Sequence, residues 1–183
     1  MTESEEVLVE RAKGEPAAFG ILYERYVDGI YSYIYHRTGN RHDAEDLTSR
    51  TFHKALANLH RYTNQGVPFP AWLYRIAHNL VANWLRDRSR HQGIPLHKLV
   101  IDGQREDAPE GIAEANEEKG ALREAIARLH PDRQQLLILK FAEGLSNARI
   151  GQIMGRSQGA IKSLYYRTLI ALREDLGKRG FLT

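Results

Sequence analysis

The placement of glycine and proline constrains this chain more than any other feature. Apolar residues recur at helical spacing from Pro16 to about Arg90, lose that period between Ser89 and Ala115, and regain it to about Leu176. Phe19, Leu22, Tyr23, Tyr26, Ile30, Tyr33 and Ile34 fall at i, i+3, i+4, i+7, i+11, i+14 and i+15, one stripe of a helix. Pro16 suits a first helical position and Gly39-Asn40 a stop. A second helix is expected from His42 to His60, burying Ala44, Leu47, Phe52, Ala55, Leu56 and Leu59. Two prolines and a glycine make Arg61 to Pro70 a loop. A third helix then runs from Ala71 to Arg88 with Leu73, Ile76, Ala77, Leu80 and Trp84 inward.

The interruption holds Gly93, Pro95, Gly103, Pro109 and Gly111, with Asp102, Glu106, Asp107, Glu110 and Glu114 against Lys98 and Arg105. It reads as a flexible acidic linker, 91–115, whose Ile94-Pro95-Leu96 and Leu99-Val100-Ile101 patches are able to dock. Beyond it, Leu122, Ile126 and Leu129 mark a helix, and Pro131 opens another with Leu136, Leu137, Ile138 and Phe141 that ends at Gly144. Ser146 caps a short helix through Met154, and after Gly155-Arg156-Ser157 a last helix follows. No strand alternation and no repeat appear. The expected fold is all-α, with small helical domains at 1–90 and 116–183.

Composition excludes several functions. The chain has no cysteine, so disulfides, thiolate zinc sites and cysteine nucleophiles are absent together. The acidic start Met1-Thr2-Glu3-Ser4-Glu5-Glu6 is no secretory signal, and no run approaches the roughly 18 apolar residues of a membrane span. A cytoplasmic protein is expected. GxxxxGK[ST], GxSxG and HExxH are all missing, so neither an enzyme nor a cofactor is expected. No metal is expected either, because His42, Asp43, Glu45 and Asp46 diverge around a helix.

What remains is recognition. Gly151, Gly155 and Ile161 have the spacing of a helix-turn-helix: a small residue where two helices touch, a turn residue, and an apolar anchor. The second helix would bury Ile161, Tyr165, Thr168 and Leu172 and expose Gln158, Lys162, Ser163, Tyr166 and Arg167, with Arg156 just before it. From Gly144 to Glu174, Arg149, Arg156, Lys162, Arg167 and Arg173 face a single acid, Glu174, so counterion release favours DNA there. A plain helical hairpin with a wet basic face is the alternative.

In the first lobe, Arg75, His78, Asn79, Ala82, Asn83 and Arg86 form one polar helix face, extended by Arg88 and Arg90. Tyr62, Phe69, Trp72 and Tyr74 lie beside it near the proline-rich loop as stacking platforms for unpaired bases, with core-edge packing the alternative for Trp72 and Tyr74. Asp43-Ala44-Glu45-Asp46-Leu47 opens the second helix as an acidic first turn, either dipole-compensating or a protein-docking patch.

Together these residues resemble the sigma factors of bacterial RNA polymerase, specifically the extracytoplasmic-function group of the sigma-70 family. Asp43 to Leu56 looks like the core-polymerase segment of region 2, Ala71-Trp72-Leu73-Tyr74-Arg75-Ile76-Ala77-His78-Asn79 resembles its minus-ten signature, and Glu143 to Ser163 resembles region 4. The resemblance implies a non-catalytic transcription initiation factor that docks on the polymerase β′ clamp and directs it to specific promoters. By that resemblance Asp43, Glu45, Asp46, Leu47 and Phe52 contact polymerase, and Tyr62, Thr63, Asn64, Phe69, Trp72, Arg75, His78, Asn79, Asn83 and Arg86 hold the minus-ten element. Arg156, Gln158, Lys162, Ser163, Tyr166 and Arg167 meet the minus-thirty-five element. An anti-sigma protein is an implied partner. Arg50 departs from the family's Glu or Gln, and Leu164 and Leu169 stand where many members have Arg. The competing readings are a stand-alone helix-turn-helix regulator and a helical adaptor. The first reading expects the two lobes to point the same way, gripping polymerase and opened promoter together.

Overall fold

The computed structural model describes residues 3–92 and 117–181. Helix α1 (Glu5–Ala12) leads into α2 (Pro16–Thr38), α3 (Arg41–Asn58), a 3-10 turn (Leu59–Arg61) and α4 (Phe69–Gln92). The second lobe contains α5 (Glu117–Arg128), α6 (Pro131–Leu137) with a π-helical end (Ile138–Ala142), α7 (Asn147–Met154) and α8 (Gln158–Lys178). No strand occurs among the described residues. Most of the expected linker, with its two apolar patches, lies outside them.

Local chemistry accounts for the boundaries. Asn40, Ser146 and Ser157 cap α3, α7 and α8, each accepting a hydrogen bond from a backbone N–H in the first turn. Pro16 and Pro131 open α2 and α6. Gly39 and Gly155 end α2 and α7 with φ of 67° and 65°, the left-handed conformation a Cβ opposes.

Several boundaries differ from the sequence expectation. Helix α1 was not anticipated, because its acidic start hides a buried face of Leu8, Val9 and Ala12 that packs on α2. Helix α4 starts at Phe69, since Pro70 is tolerated in a first turn, and it runs on past Arg88 to Gln92. Leu56, expected inside, is 50% exposed, and Tyr23 and Phe141 are also exposed. Ile76 and Trp84 are only partly buried.

The packing carries the larger surprise. Leu22, Ile30 and Tyr33 of α2, Leu47 of α3, and Leu73 and Ala77 of α4 share one apolar cluster with Leu136, Leu139, Ile150 and Ile153 of the second lobe. The lobes are therefore docked, with α7 lying against α4 and the π-helical segment against α2. Docked in this way, the lobes share one core and are not merely tethered. A smaller cluster of Ala125, Leu137 and Leu172 holds α5, α6 and α8 together.

Candidate nucleic-acid interface

Helix α4 turns its apolar side to α2 and α3, which leaves its polar stripe in three settings. Asn79, Asn83 and Arg86 are exposed. Arg75 is half-buried, its Nη2 donating to the Gln152 carbonyl at 2.7 Å and its Nε to that of Ile153 at 3.1 Å. Those carbonyls end α7, where unsatisfied acceptors and the negative dipole end favour a cation.

His78 is half-buried, with Nδ1 3.0 Å from Tyr33 Oη. Burial first, then the Arg37 charge, pulls its pKa below the ordinary 6.5, while Asp132 opposes. The unfolded chain therefore binds a proton that the folded chain resists, and stability falls as pH drops below 6.5 toward the lowered folded value. Urea midpoints measured at about pH 7.5 and about pH 5.5 should show this fall, and His78→Gln should reduce it.

Two recesses meet along the groove between α3 and α4. One, of about 350 Å³, is lined by Lys54, Asn58, Arg61, Tyr62, Trp72, Ile76 and Asn79. The next, of about 610 Å³, is lined by Arg50, Lys54, Leu80, Asn83, Trp84, Asp87 and Arg88. Lys54 lines both, so the recesses adjoin, and their walls carry Lys54 and Arg61 together with Arg50 and Arg88, which pair with Asp46 and Asp43, against Asp87.

The aromatics divide. Trp72 is partly exposed at the groove, 4.9 Å from the Tyr62 ring. Tyr62 and Phe69 are buried, and their rings pack on each other and on Trp72 and Tyr26. Tyr62 also donates to the Val67 carbonyl at 2.8 Å, pinning the loop that exposes Thr63 and Asn64. Of the four rings offered as stacking platforms, Trp72 alone keeps substantial exposure, because the other three are used in packing. Lys54, Asn58 and Arg61 line the groove yet were missed from the sequence. Their spacing along α3 and the turn after it was a usable signal.

The acidic opening of α3 also divides. Glu45 and Asp46 are exposed, with Asp46 3.5 Å from Arg50. Asp43 pairs with Arg88 at 2.8 Å, tying α3 to α4, and the Arg88 guanidinium lies 5.0 Å from the Trp84 ring centroid. Leu47 and Phe52 lie in the core, as the helical spacing predicts, so the contact that the resemblance implied for them finds no exposed side chain.

On α8, Gln158, Lys162, Ser163, Tyr166 and Arg167 are all exposed. Tyr166, at 67%, is the most exposed of the large hydrophobic side chains on α8. Leu164 is buried, so its departure from arginine serves packing, whereas Leu169 is exposed. Arg156 sits in the turn before α8 and pairs with Asp132 of α6.

Comparison with known proteins follows this division. Residues 22–91 match the model of Sigma-70 region 2, and residues 119–172 match that of Sigma-70, region 4. The chain is 42% identical over 166 residues to the ECF RNA polymerase sigma factor BldN of Streptomyces coelicolor, covering 90% of this chain and 63% of that protein. It is 31% identical over 169 residues to the RNA polymerase sigma factor CarQ of Myxococcus xanthus, covering 90% of this chain and 92% of that one. It thus spans less than two thirds of the BldN factor's length. Among solved structures, CnrH in complex with the cytosolic domain of CnrY superposes with a TM-score of 0.66 at 20% identity, over 96% of this chain and 99% of that one. The sigma factor RpoE in complex with the anti-sigma factor NepR, from Bartonella quintana, gives 0.60 at 22%, over 87% and 96%. At these identities the likeness is one of fold. The region 2 match favours the first reading over the stand-alone regulator.

Proposed function

The chain belongs to the extracytoplasmic-function group of the sigma-70 family, and from that premise we propose that it binds core RNA polymerase and directs it to specific promoters. The observation that carries this reading is the pair of adjoining recesses between α3 and α4, with Lys54 and Arg61 in their walls, Trp72 and Asn79 at one and Asn83 at the other. Walls with cations, one partly open indole and amide side chains are suited to a displaced single strand. Phosphates follow the charge, a base stacks, and an extruded base presents its edge to the amides.

In this reading residues 1–90 take polymerase and the minus-ten element, 91–115 tether, and 116–183 take the minus-thirty-five duplex. The exposed acids Glu45 and Asp46, set over Leu47 and Phe52, face the polymerase β′ clamp. Lys162, Arg167, Gln158 and Tyr166 lie along the major groove, with Ser163 and Arg156 at its phosphates. The chain itself catalyses nothing and works in the cytoplasm, where an anti-sigma protein is a partner.

Run-off transcription with purified core polymerase over a random promoter library tests the reading. Initiation from a defined subset supports it, and failure to retain core polymerase in a pull-down overturns it. Removing one cation at Lys162 or Arg167 should lower the log–log salt slope of duplex binding by about one each, measured by fluorescence anisotropy. An unchanged slope means that this face does not meet DNA.

A further inference from the structure

The candidate base-stacking ring, Trp72, ends a chain of packed aromatics that leads back to α1. Its indole lies 4.9 Å from the Tyr62 ring and 5.8 Å from that of Phe69, and Phe69 lies 5.8 Å from Tyr26. Tyr26 in turn donates its hydroxyl proton to Glu5 Oε2. Both partners are half-buried. Burial first, then the Glu5 carboxylate, holds the Tyr26 phenol well above its ordinary pKa of 10, with Arg25 opposing, so the hydroxyl stays a donor.

The next residue of α1 reaches the loop instead. Glu6 Oε1 accepts from Asn64 Nδ2 at 3.1 Å, between the Leu59–Arg61 turn and α4. A recess of about 260 Å³ separates α1 from that loop, with Glu5, Glu6, Tyr62, Asn64 and Phe69 in its lining. Tyr62 also lines the recess that holds Trp72 and Asn79, so one ring is shared by the α1 side and the base side. Helix α1 is itself anchored on α2 through Leu8, Val9 and Ala12, and it precedes the residues that match Sigma-70 region 2.

We propose that α1 is a bracket for base capture: Glu5 is a positioning residue that fixes the Trp72 indole through Tyr26 and Phe69, while Glu6 holds the adjoining loop through Asn64. The role of Trp72 rests on the function proposed above; the bracing of its ring does not. An indole already packed on one side loses little further freedom when a base lands on the other, so the ordering cost is met in folding rather than at the promoter.

Glu5→Ala removes the acceptor, and Tyr26→Phe removes the donor but keeps the ring. Each should slow open-complex formation with core polymerase about three- to tenfold, at a promoter recovered from the random library. The two together should cost no more than either alone, because both break one bond. Glu5→Gln, which still accepts, should open at the unaltered rate, and retention of core polymerase should not change in any of them. The chain has two tryptophans, so Trp84→Phe leaves Trp72 as the single indole. In that background, time-resolved fluorescence anisotropy of the full chain should show Trp72 moving more freely in Glu5→Ala and in Tyr26→Phe. Losses that add, or a Trp72 unmoved by either substitution, overturn the bracket. A freer Trp72 with no slower opening overturns it as well, and Trp72→Ala separates the causes. If that variant also opens normally, the reading of the recess fails; if it opens slowly, only the bracing fails.

Discussion

Gly151→Ala should destabilise the second lobe by about 1–3 kcal/mol, lowering its melting temperature by roughly 5–15 °C. A Cβ at Gly151 would sit 2.6 Å from the Arg156 carbonyl oxygen. That atom belongs to the turn between α7 and α8, whose geometry is fixed on both sides. Gly155 holds the left-handed φ of 65°, the Arg156 N–H donates to the Gly151 carbonyl at 2.9 Å, and Ser157 caps α8. No rotamer change relieves a clash with backbone, so α8 must move away from α7. Alanine's better helix propensity, about 1 kcal/mol, offsets only part of this. Gly159→Ala is the control, because a Cβ there meets nothing within 4 Å. Differential scanning calorimetry should show the first variant melting early and the second at or above the unaltered chain. Equal melting temperatures would mean that the α7–α8 turn yields cheaply.

Asn79→Ala should reduce open-complex formation about 10- to 100-fold while leaving retention of core polymerase unchanged. Asn79 is exposed, lies at the edge of the Trp72 recess, and also borders the inter-lobe cleft. A side-chain amide matched to a base edge discriminates by about 1–3 kcal/mol, which spans that range of rates. No hydrogen bond within the protein fixes the side chain in the geometry above, and alanine favours a helix, so the variant should fold normally. Permanganate footprinting reads strand opening, and a pull-down reads polymerase binding. Equal losses in both would place Asn79 in the scaffold rather than at the base.

Much of the helical order was legible because helix-forming chemistry is local. Pro16, Gly39, Pro131, Ser146, Gly155 and Ser157 act within a turn of their own positions, so each boundary follows from nearby residues. The candidate base-reading row was legible for the same reason, since a helix places Arg75, His78, Asn79 and Asn83 on one face by its geometry alone. Residues that act across elements were less legible. Leu47 and Phe52 read as core from the spacing of α3, and only the resemblance offered them as a contact. Tyr62 and Phe69 are as able to stack on a base as on each other, and packing assigned them to each other. Lys54, Asn58 and Arg61 stood unremarked because only the approach of α4 turns them into the wall of a groove.

The amino-acid order alone determined an all-helical chain in two blocks, the small residues where α7 meets α8, and the polar row on α4. These depend on interactions within a few residues. Tertiary structure alone decided that the blocks dock, that Arg75 closes the end of α7, and that Tyr74 reaches Glu143 across 69 positions of sequence. Burial of Leu136, Leu139, Ile150 and Ile153 against the first lobe sets that contact. Hydrophobic burial has no direction of its own, so the sequence marks these residues as apolar without naming the surface that covers them.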